Sequence, residues 1–301
     1  PVECPWAGDV AAVLEMYLSG QGGGEACDRL LYGEANPSGR LAETFPYRLE
    51  DNPSFLHFPG NGKRVLYGED IFVGYRYYDT KKVPVRYAFG HGLSYTEFAY
   101  GDLNLSSAQM TDEDILTVSF KVKNAGKTEG KEVVQLYVAD LCGISERPVK
   151  ELKGFAKVHL LPGEEKTVSM EILARDLSYY EERLGDWYAP SGTYRILIGH
   201  ASDDIRLHAD IVFETQKELP LRVDFTTTFG ELLDHTKTAP VITELLAPLA
   251  TAAASAEGMS DEYKKLGEQV IREMPMKSLL GQMPGEQVEQ LIGQLNCLLA
   301  Q

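Results

Sequence analysis

Apolar and polar residues alternate through the middle of the chain. The clearest stretch is 116–122, where Leu, Val, Phe and Val alternate with polar side chains. An alternation of period two predicts a strand with one buried face. The pattern recurs at 134–138, 168–172, 194–198 and 205–211, with turn residues such as Pro162-Gly163 and Ser191-Gly192 between the runs. Short alternating strands at this spacing predict an antiparallel β-sandwich over residues 101–215.

The first hundred residues mix strand and helix signals. Ala11 to Leu18 is a short apolar run, a glycine-rich stretch interrupts it, Glu25 to Tyr32 has the pattern of a helix, and Arg40 to Phe45 that of a short strand. Strand, helix and strand in this order are typical of an α/β layer with a parallel sheet. One such unit cannot cover both sheet faces, so residues 1–100 are expected to be part of a larger α/β layer.

After residue 225 the apolar spacing becomes helical. Ser260 is expected to cap a helix whose apolar stripe is Met259, Tyr263, Leu266 and Val270. A second stripe comprises Val288, Leu291, Ile292, Leu295 and Leu299, with Pro275 and Pro284 bending the chain between the two. The pattern predicts a helical tail over 216–301, packed on the sandwich or on protein outside this chain. The predicted fold class is therefore α+β and multidomain.

Composition narrows the classes of partner. The chain has 301 residues and a formal net charge of −16, whereas nucleic acids and anionic membranes attract clustered Lys and Arg, so neither is expected. Cys4, Cys27, Cys142 and Cys297 lack paired spacing and are expected to be free thiols. No leader pattern opens the sequence, which favours a cytoplasmic location, and a start at Pro1 is expected of a fragment or processed piece.

Several motifs resemble one family in the same order along the chain. Those of the first segment are Pro1 to Trp6, Gly20 to Gly23, Asn36 to Leu41 and Thr44 to Pro46, followed by Gly68 to Asp79 and Phe89 to Thr96. Those further on are Asn124 to Gly126, Val133 to Val138, Arg147-Pro148, Glu151 to Phe155 and Met274 to Leu279. Together they resemble the C-terminal part of family 3 glycoside hydrolases, most of all the β-glucosidases. The resemblance implies a fibronectin type III-like sandwich, and a tail similar to the extension of bacterial members.

The resemblance also implies where the catalytic groups lie. Family members are retaining hydrolases with two carboxylates. The nucleophile lies on an N-terminal β/α barrel and the acid/base earlier in the α/β domain, so no catalytic residue is expected here. The nearest lookalike, Gly185-Asp186-Trp187, is expected to be structural, with Asp186 in a turn and Trp187 capping the β core.

Three residues are candidates for contact with a sugar. Tyr67, Glu69 and Tyr77 lie in an aromatic-rich stretch, and sugar sites combine acids for hydroxyls with aromatic faces. The alternative is that these tyrosines line an interface between domains. Arg76 and Asp79 are expected to pair with each other. No metal or cofactor is expected, because the six histidines lack any ligand spacing.

Two functions remain open at this point. The first is part of an exo-acting β-glucosidase that removes terminal β-glucosyl residues, with this chain supplying packing domains. Its partners would be the N-terminal barrel, the first part of the α/β domain and a β-glucoside or oligosaccharide, with a homo-oligomer left open. The alternative is a non-catalytic β-sandwich module that binds carbohydrate or protein, for which a row of exposed aromatics is expected on one sheet face.

Overall fold

A computed structural model describes residues 1–143, 146–254 and 261–300 of the chain, which divides into two units. Unit 1 comprises Pro1–Glu181 and Asp186–Lys217, and unit 2 comprises Glu218–Gln301 with Glu182–Gly185. A mixed first segment, a β-sandwich and C-terminal helices follow one another along the chain, which confirms the predicted α+β class. The domain limits at residues 100 and 215 stay a prediction.

The first segment is mostly irregular. Its regular elements are helix α1 (Gly23–Leu31), strand β1 (Phe45–Pro46), helix α2 (Tyr75–Lys81) and strand β2 (Val85–Tyr87), with short 3-10 helices at Pro5–Gly8 and Leu49–Asp51. Strands β1 and β2 pair in the antiparallel direction.

The two strands expected in this segment differ from the structure. Ala11 to Leu18 forms no strand, and the run expected at Arg40 to Phe45 shrinks to β1. A strand needs a neighbour to satisfy its backbone N–H and C=O groups. Val13, Leu14 and Leu18 are exposed, so this apolar run lacks that neighbour within the described residues.

The sandwich consists of two sheets. Its main strands are β3 (Phe98–Leu105), β4 (Gln109–Thr111), β5 (Ile115–Asn124), β6 (Gly130–Asp140), β7 (Glu151–Leu160) and β8 (Glu165–Leu173), followed by β11 (Gly192–Ala201) and β12 (Asp204–Glu214). One sheet has the order β4-β12-β11-β6-β7 and the other the order β3-β5-β8. Only β4 and β12 pair in parallel among the described pairs. Helix α3 (Ala174–Leu177) and the hairpin β9 (Tyr179–Glu181) and β10 (Asp186–Tyr188) complete the unit.

The sandwich core comes from the alternation seen in the sequence. Val118, Phe120 and Val122 of β5 are fully buried, and Ile196 and Ile198 of β11 face them across the core cluster. Each such side chain contributes about 1.5–3 kcal/mol through its removal from water. All five strands predicted from alternation are confirmed, and β3, β4 and β7 of the two sheets are additional.

Unit 2 is helical and has a core of its own. Its helices are α4 (Phe229–Asp234), α5 (Ala239–Ala254), α6 (Asp261–Glu273) and α7 (Gly285–Leu299), with a 3-10 helix at Met276–Gly281. A capping box between Thr228 and Glu231 begins α4. The predicted stripe on α7 is confirmed, since Val288 and Leu295 are buried and the other three members pack against the same core.

The predicted stripe on α6 is not covered by the described residues. Tyr263, Leu266 and Val270 are each more than half exposed. Helix α6 instead reaches the core of unit 2 through Ile271 near its C-terminal end. Ser260 and Met259 lie outside the described residues.

Candidate functional site

The loop before α2 carries two of the three predicted sugar-contacting side chains. Tyr67 is largely exposed, whereas Glu69 is half-buried. Glycine allows the close packing of this loop, because a Cβ at Gly68 would lie 2.7 Å from Nε2 of His57. Asp70 has a φ of 50°, in the left-handed region that non-glycine residues seldom adopt.

Glu69 has an unsatisfied oxygen. Its Oε2 is buried and has no hydrogen-bond partner among the described residues. A buried polar atom without a partner costs free energy, about 1–3 kcal/mol for a neutral group and more for a charged one. The atom can therefore accept a hydrogen bond from a hydroxyl or an N–H that approaches the loop.

Tyr77 lies on α2, a few residues after the loop. Its ring meets that of buried Tyr78 edge to face, with centroids 5.4 Å apart. Burial raises the pKa of Tyr78 to about 12, so this phenol stays neutral. In the part of the chain that the structure describes, no hydrogen bond or ring contact joins Tyr67, Glu69 and Tyr77. They share one stretch of chain rather than a closed site.

A buried charged network joins the first segment to the sandwich. Glu132 on β6 is fully buried, and its Oε2 accepts a hydrogen bond at 2.7 Å from Nη2 of Arg40. Its Oε1 accepts one from the Tyr100 hydroxyl at 2.7 Å and lies 2.5 Å from Nδ1 of His200. Burial and the Glu132 carboxylate raise the pKa of Tyr100 far above its usual value. Because both Glu132 oxygens are occupied, this carboxylate fits a structural role.

The other nitrogen of His200 extends the network to the loop at Gly92. Nε2 of His200 lies 2.8 Å from the carbonyl oxygen of Gly92, which can only accept. Since Nδ1 faces Glu132, the His200 ring bridges this carboxylate and the Gly92 carbonyl oxygen. Nothing in the sequence pairs these residues, which lie up to 108 positions apart.

A turn at Gly90 and His91 extends this junction. Gly90 has a φ of +85°, and its carbonyl accepts a hydrogen bond from Nε2 of Gln135. His91 stacks on Tyr87 with centroids 5.3 Å apart, which fits a structural role at this turn. Burial lowers the pKa of His91 below its ordinary value.

The predicted pair between Arg76 and Asp79 is wrong. Nη2 of Arg76 lies 3.4 Å from Oε1 of Glu151, and Oδ2 of Asp79 lies 2.7 Å from Nζ of Lys150. Burial alone would raise the pKa of Glu151, but neighbouring cations, Lys153 foremost, hold it below its usual value. Arg76 and Asp79 thus find partners on the sandwich, where sequence spacing could not place them.

The Asp-Trp lookalike occupies a surface hairpin. Trp187 is partly exposed, and the guanidinium of Arg175 lies 3.1 Å from the centroid of its ring. Asp186 begins β10 and pairs with Nζ of Lys217 at 2.9 Å. The expected cap over the β core and the expected turn are therefore corrected to a stacked surface Trp and an exposed ion pair.

The described residues show neither a metal site nor a membrane-spanning helix. No group of three or more His, Cys, Asp or Glu within residues 1–143, 146–254 and 261–300 is arranged to hold a metal ion. Over the same ranges no helix is both long and apolar enough to span a bilayer. The four cysteines are free.

Family models match both halves of unit 1. Residues 1–95 match the glycosyl hydrolase family 3 C-terminal domain, and residues 132–202 match the fibronectin type III-like domain. The chain therefore belongs to glycoside hydrolase family 3 and corresponds to the C-terminal region of its members.

Two relatives and one solved structure show which proteins this chain is similar to. Thermostable beta-glucosidase B of Acetivibrio thermocellus is 43% identical over 98% of this chain and 39% of its own length. Beta-glucosidase of Kluyveromyces marxianus is 46% identical over 73% of this chain and 25% of its own length. A crystal structure of a Bifidobacterium adolescentis GH3 beta-glucosidase has a TM-score of 0.71 at 38% identity, covering 79% of this chain and 35% of that one. The chain thus spans about two fifths or less of these relatives.

Proposed function

We propose that this chain is the C-terminal, non-catalytic part of a retaining β-glucosidase that removes terminal β-D-glucosyl residues. The relatives named above are β-glucosidases, and all of them are longer than this chain. On this proposal the nucleophile and the acid/base lie in the part of the enzyme that those relatives have in addition, a β/α barrel and the first part of the α/β domain.

The observation that carries this proposal is the apolar surface of the first segment. Residues 1–95 expose 21 large apolar side chains and bury four apolar ones. The described residues of 101–217 reverse the ratio, with nine exposed and 21 buried. A segment that exposes most of its apolar side chains is typical of one face of a larger assembly. The cover is the missing part of the same enzyme.

Tyr67, Glu69 and Tyr77 are proposed to line one wall of the sugar pocket once that cover is in place. The free Oε2 of Glu69 is available to a sugar hydroxyl. Exposed Tyr67 offers an aromatic face to the C–H side of a sugar ring. The alternative for the tyrosines, an interface between domains, differs in its outcome, because substitution would then lower assembly rather than raise KM.

The second candidate, a free-standing binding module, has less support. Such a module needs a row of exposed aromatic side chains on a sheet face. In the described sandwich the large exposed aromatics are Phe155, Tyr180 and Trp187, and Arg175 covers one face of Trp187. A module would also have no use for the apolar surface of residues 1–95.

We further propose a bacterial origin and a cytoplasmic location. The relative that matches almost the whole chain, helical tail included, is bacterial, whereas the yeast relative matches 73%. Four free cysteines are compatible with a reducing compartment. Localisation of the epitope-tagged intact protein by cell fractionation tests the second point.

The test is turnover of p-nitrophenyl β-D-glucoside, with the mass of the purified chain verified. We expect no turnover by the chain alone and recovery when the N-terminal portion is supplied by co-expression. The control is the N-terminal portion alone. Turnover by the lone chain would mean that a carboxylate pair lies within these residues, and it would overturn the proposal.

A further inference from the structure

Helix α2 contacts the sandwich through one of its faces. Tyr75, Arg76, Asp79 and Thr80 all bond to the sandwich, and positions i, i+1, i+4 and i+5 lie on one side of a helix. Tyr77 lies on the other side. The helix is short, seven residues, so it depends on such external contacts.

Four consecutive sandwich residues, Val149 to Leu152, supply the partners. The backbone N–H of Leu152 donates to the Tyr75 hydroxyl at 2.7 Å, and that of Val149 donates to Oγ1 of Thr80 at 3.1 Å. Between these two hydrogen bonds lie the Lys150–Asp79 and Glu151–Arg76 ion pairs. The segment 149–152 with these four contacts is called the α2 latch below.

The latch is fixed on the sandwich side as well. Oε2 of Glu151 lies 3.2 Å from Nη2 of Arg147, and Nη1 of Arg147 pairs with Asp140 at 2.8 Å. Arg147 also donates to the carbonyl oxygen of Leu177 at 2.8 Å. Asp140 ends β6 and Glu151 begins β7, so the latch is attached to two strands of the core sheet.

On the other side, α2 continues directly into the candidate loop. Gly74 caps the helix with a φ of 56°, and Glu69 lies only five residues before it. The ring of Tyr75 stacks on Phe89 with centroids 4.7 Å apart, which fixes the start of the helix. A shift of α2 therefore moves both Tyr77 and the loop that holds Glu69.

We propose that the α2 latch is a positioning element, through which the sandwich sets the place of Glu69 and Tyr77 for a glucosyl substrate. Lys150 and Thr80 are positioning residues and do not touch the sugar. This inference rests on the proposed function for its kinetic consequence, whereas its structural part stands on the contacts alone.

The structural part is tested by hydrogen exchange on the full 301-residue chain. K150M keeps the stem of the side chain and leaves Asp79 unpaired. T80V keeps the shape of the side chain but removes the hydrogen bond from the Val149 N–H, together with the one that Thr80 donates to the carbonyl oxygen of Arg76. Since the Lys150–Asp79 side chains are only 13% and 17% exposed, we expect roughly tenfold faster exchange in peptides covering 67–82. The matched control is R195M, which breaks the 39% and 43% exposed Arg195–Asp210 pair and should leave those peptides unchanged.

The kinetic part uses the intact assembly of chain and N-terminal portion. We expect K150M and T80V to raise KM for the glucoside several-fold with a smaller change in kcat, K150R to restore KM, and R195M to match the wild type. Unchanged exchange over 67–82 in K150M and T80V would overturn the latch, and faster exchange with an unchanged KM would overturn its role toward the substrate. An inactive wild-type assembly would instead refute the proposed function, and the exchange result would still decide whether the latch holds α2.

Discussion

The buried network around Glu132 is expected to contribute most of the stability of the junction between the first segment and the sandwich. In the Arg40–Glu132 pair the side chains are 6% and 0% exposed. Glu132→Gln keeps the shape but leaves the buried Arg40 guanidinium without its counter-charge. Removal of one partner from a buried pair costs about 3–5 kcal/mol. With an m value of about 2–3 kcal/mol/M, the urea midpoint should fall by roughly 1–2 M.

Intrinsic tryptophan fluorescence measures this unfolding selectively. The two tryptophans, Trp6 and Trp187, both belong to unit 1, so helix melting in unit 2 does not enter the signal. The control is Asp210→Asn in the solvent-exposed pair with Arg195, whose distances of 2.6 and 2.9 Å are just as short. Surface pairs contribute little, so D210N should leave the midpoint where it is.

A double variant separates lost charge balance from lost packing. Arg40→Met combined with Glu132→Leu removes the pair together, and replacement of a buried pair by apolar residues is often close to neutral. The double variant should therefore be more stable than E132Q. The reasoning is refuted if E132Q unfolds at the same urea concentration as D210N.

Three further predictions concern single sites in unit 1. Burial raises the pKa of Cys142 to about 11. Iodoacetamide at pH 8 should therefore modify exposed Cys297 many times faster than Cys142, as measured by peptide mass spectrometry, and equal rates would contradict this. Gly90→Ala should lower the free energy of unfolding in urea by roughly 1–3 kcal/mol more than Gly163→Ala does. Both glycines have positive φ, but a Cβ at Gly90 meets a buried glutamine side chain whereas one at Gly163 meets nothing within 4 Å. Equal losses would argue against the clash. Burial lowers the pKa of His91 from 6.5, so the unfolded state binds the proton more readily, and stability is lost as the pH falls below 6.5. His91→Phe, which keeps the stacked ring, should reduce the difference in urea midpoint between pH 7.5 and 5.5. An unchanged difference would contradict the assignment.

The sandwich could be predicted from the sequence because its determinants are local. Alternation over a few residues specifies which face of a strand is buried, and Val118, Phe120 and Ile196 lie where that pattern puts them. The first segment could not be predicted in the same way. Its apolar run from Ala11 to Leu18 has the composition of a strand, but a strand forms only beside a partner.

The candidate site was only partly predictable. Aromatic and acidic composition pointed to Tyr67, Glu69 and Tyr77 but could not bring them together. The bonds that hold the region connect residues far apart in sequence, as Arg76 to Glu151 and Arg40 to Glu132 do. Sequence spacing favoured an Arg76–Asp79 pair on α2, but in the structure both residues pair with residues of the sandwich. Such long-range choices depend on the tertiary fold rather than on local propensity.

Strand β7 is the last strand of its sheet, so one of its backbone edges has no paired strand within the described residues. An open edge invites the same strand of another molecule, and exposed Phe155 at its middle would strengthen that contact. Lys153 lies at a register shift in the pairing of β7 with β6, and its Nζ lies 3.4 Å from Oε2 of Glu151. A bulge of this kind bends an edge strand and interrupts the regular ladder that a second strand would need. The irregular start of β7 therefore disfavours pairing of this edge with another molecule.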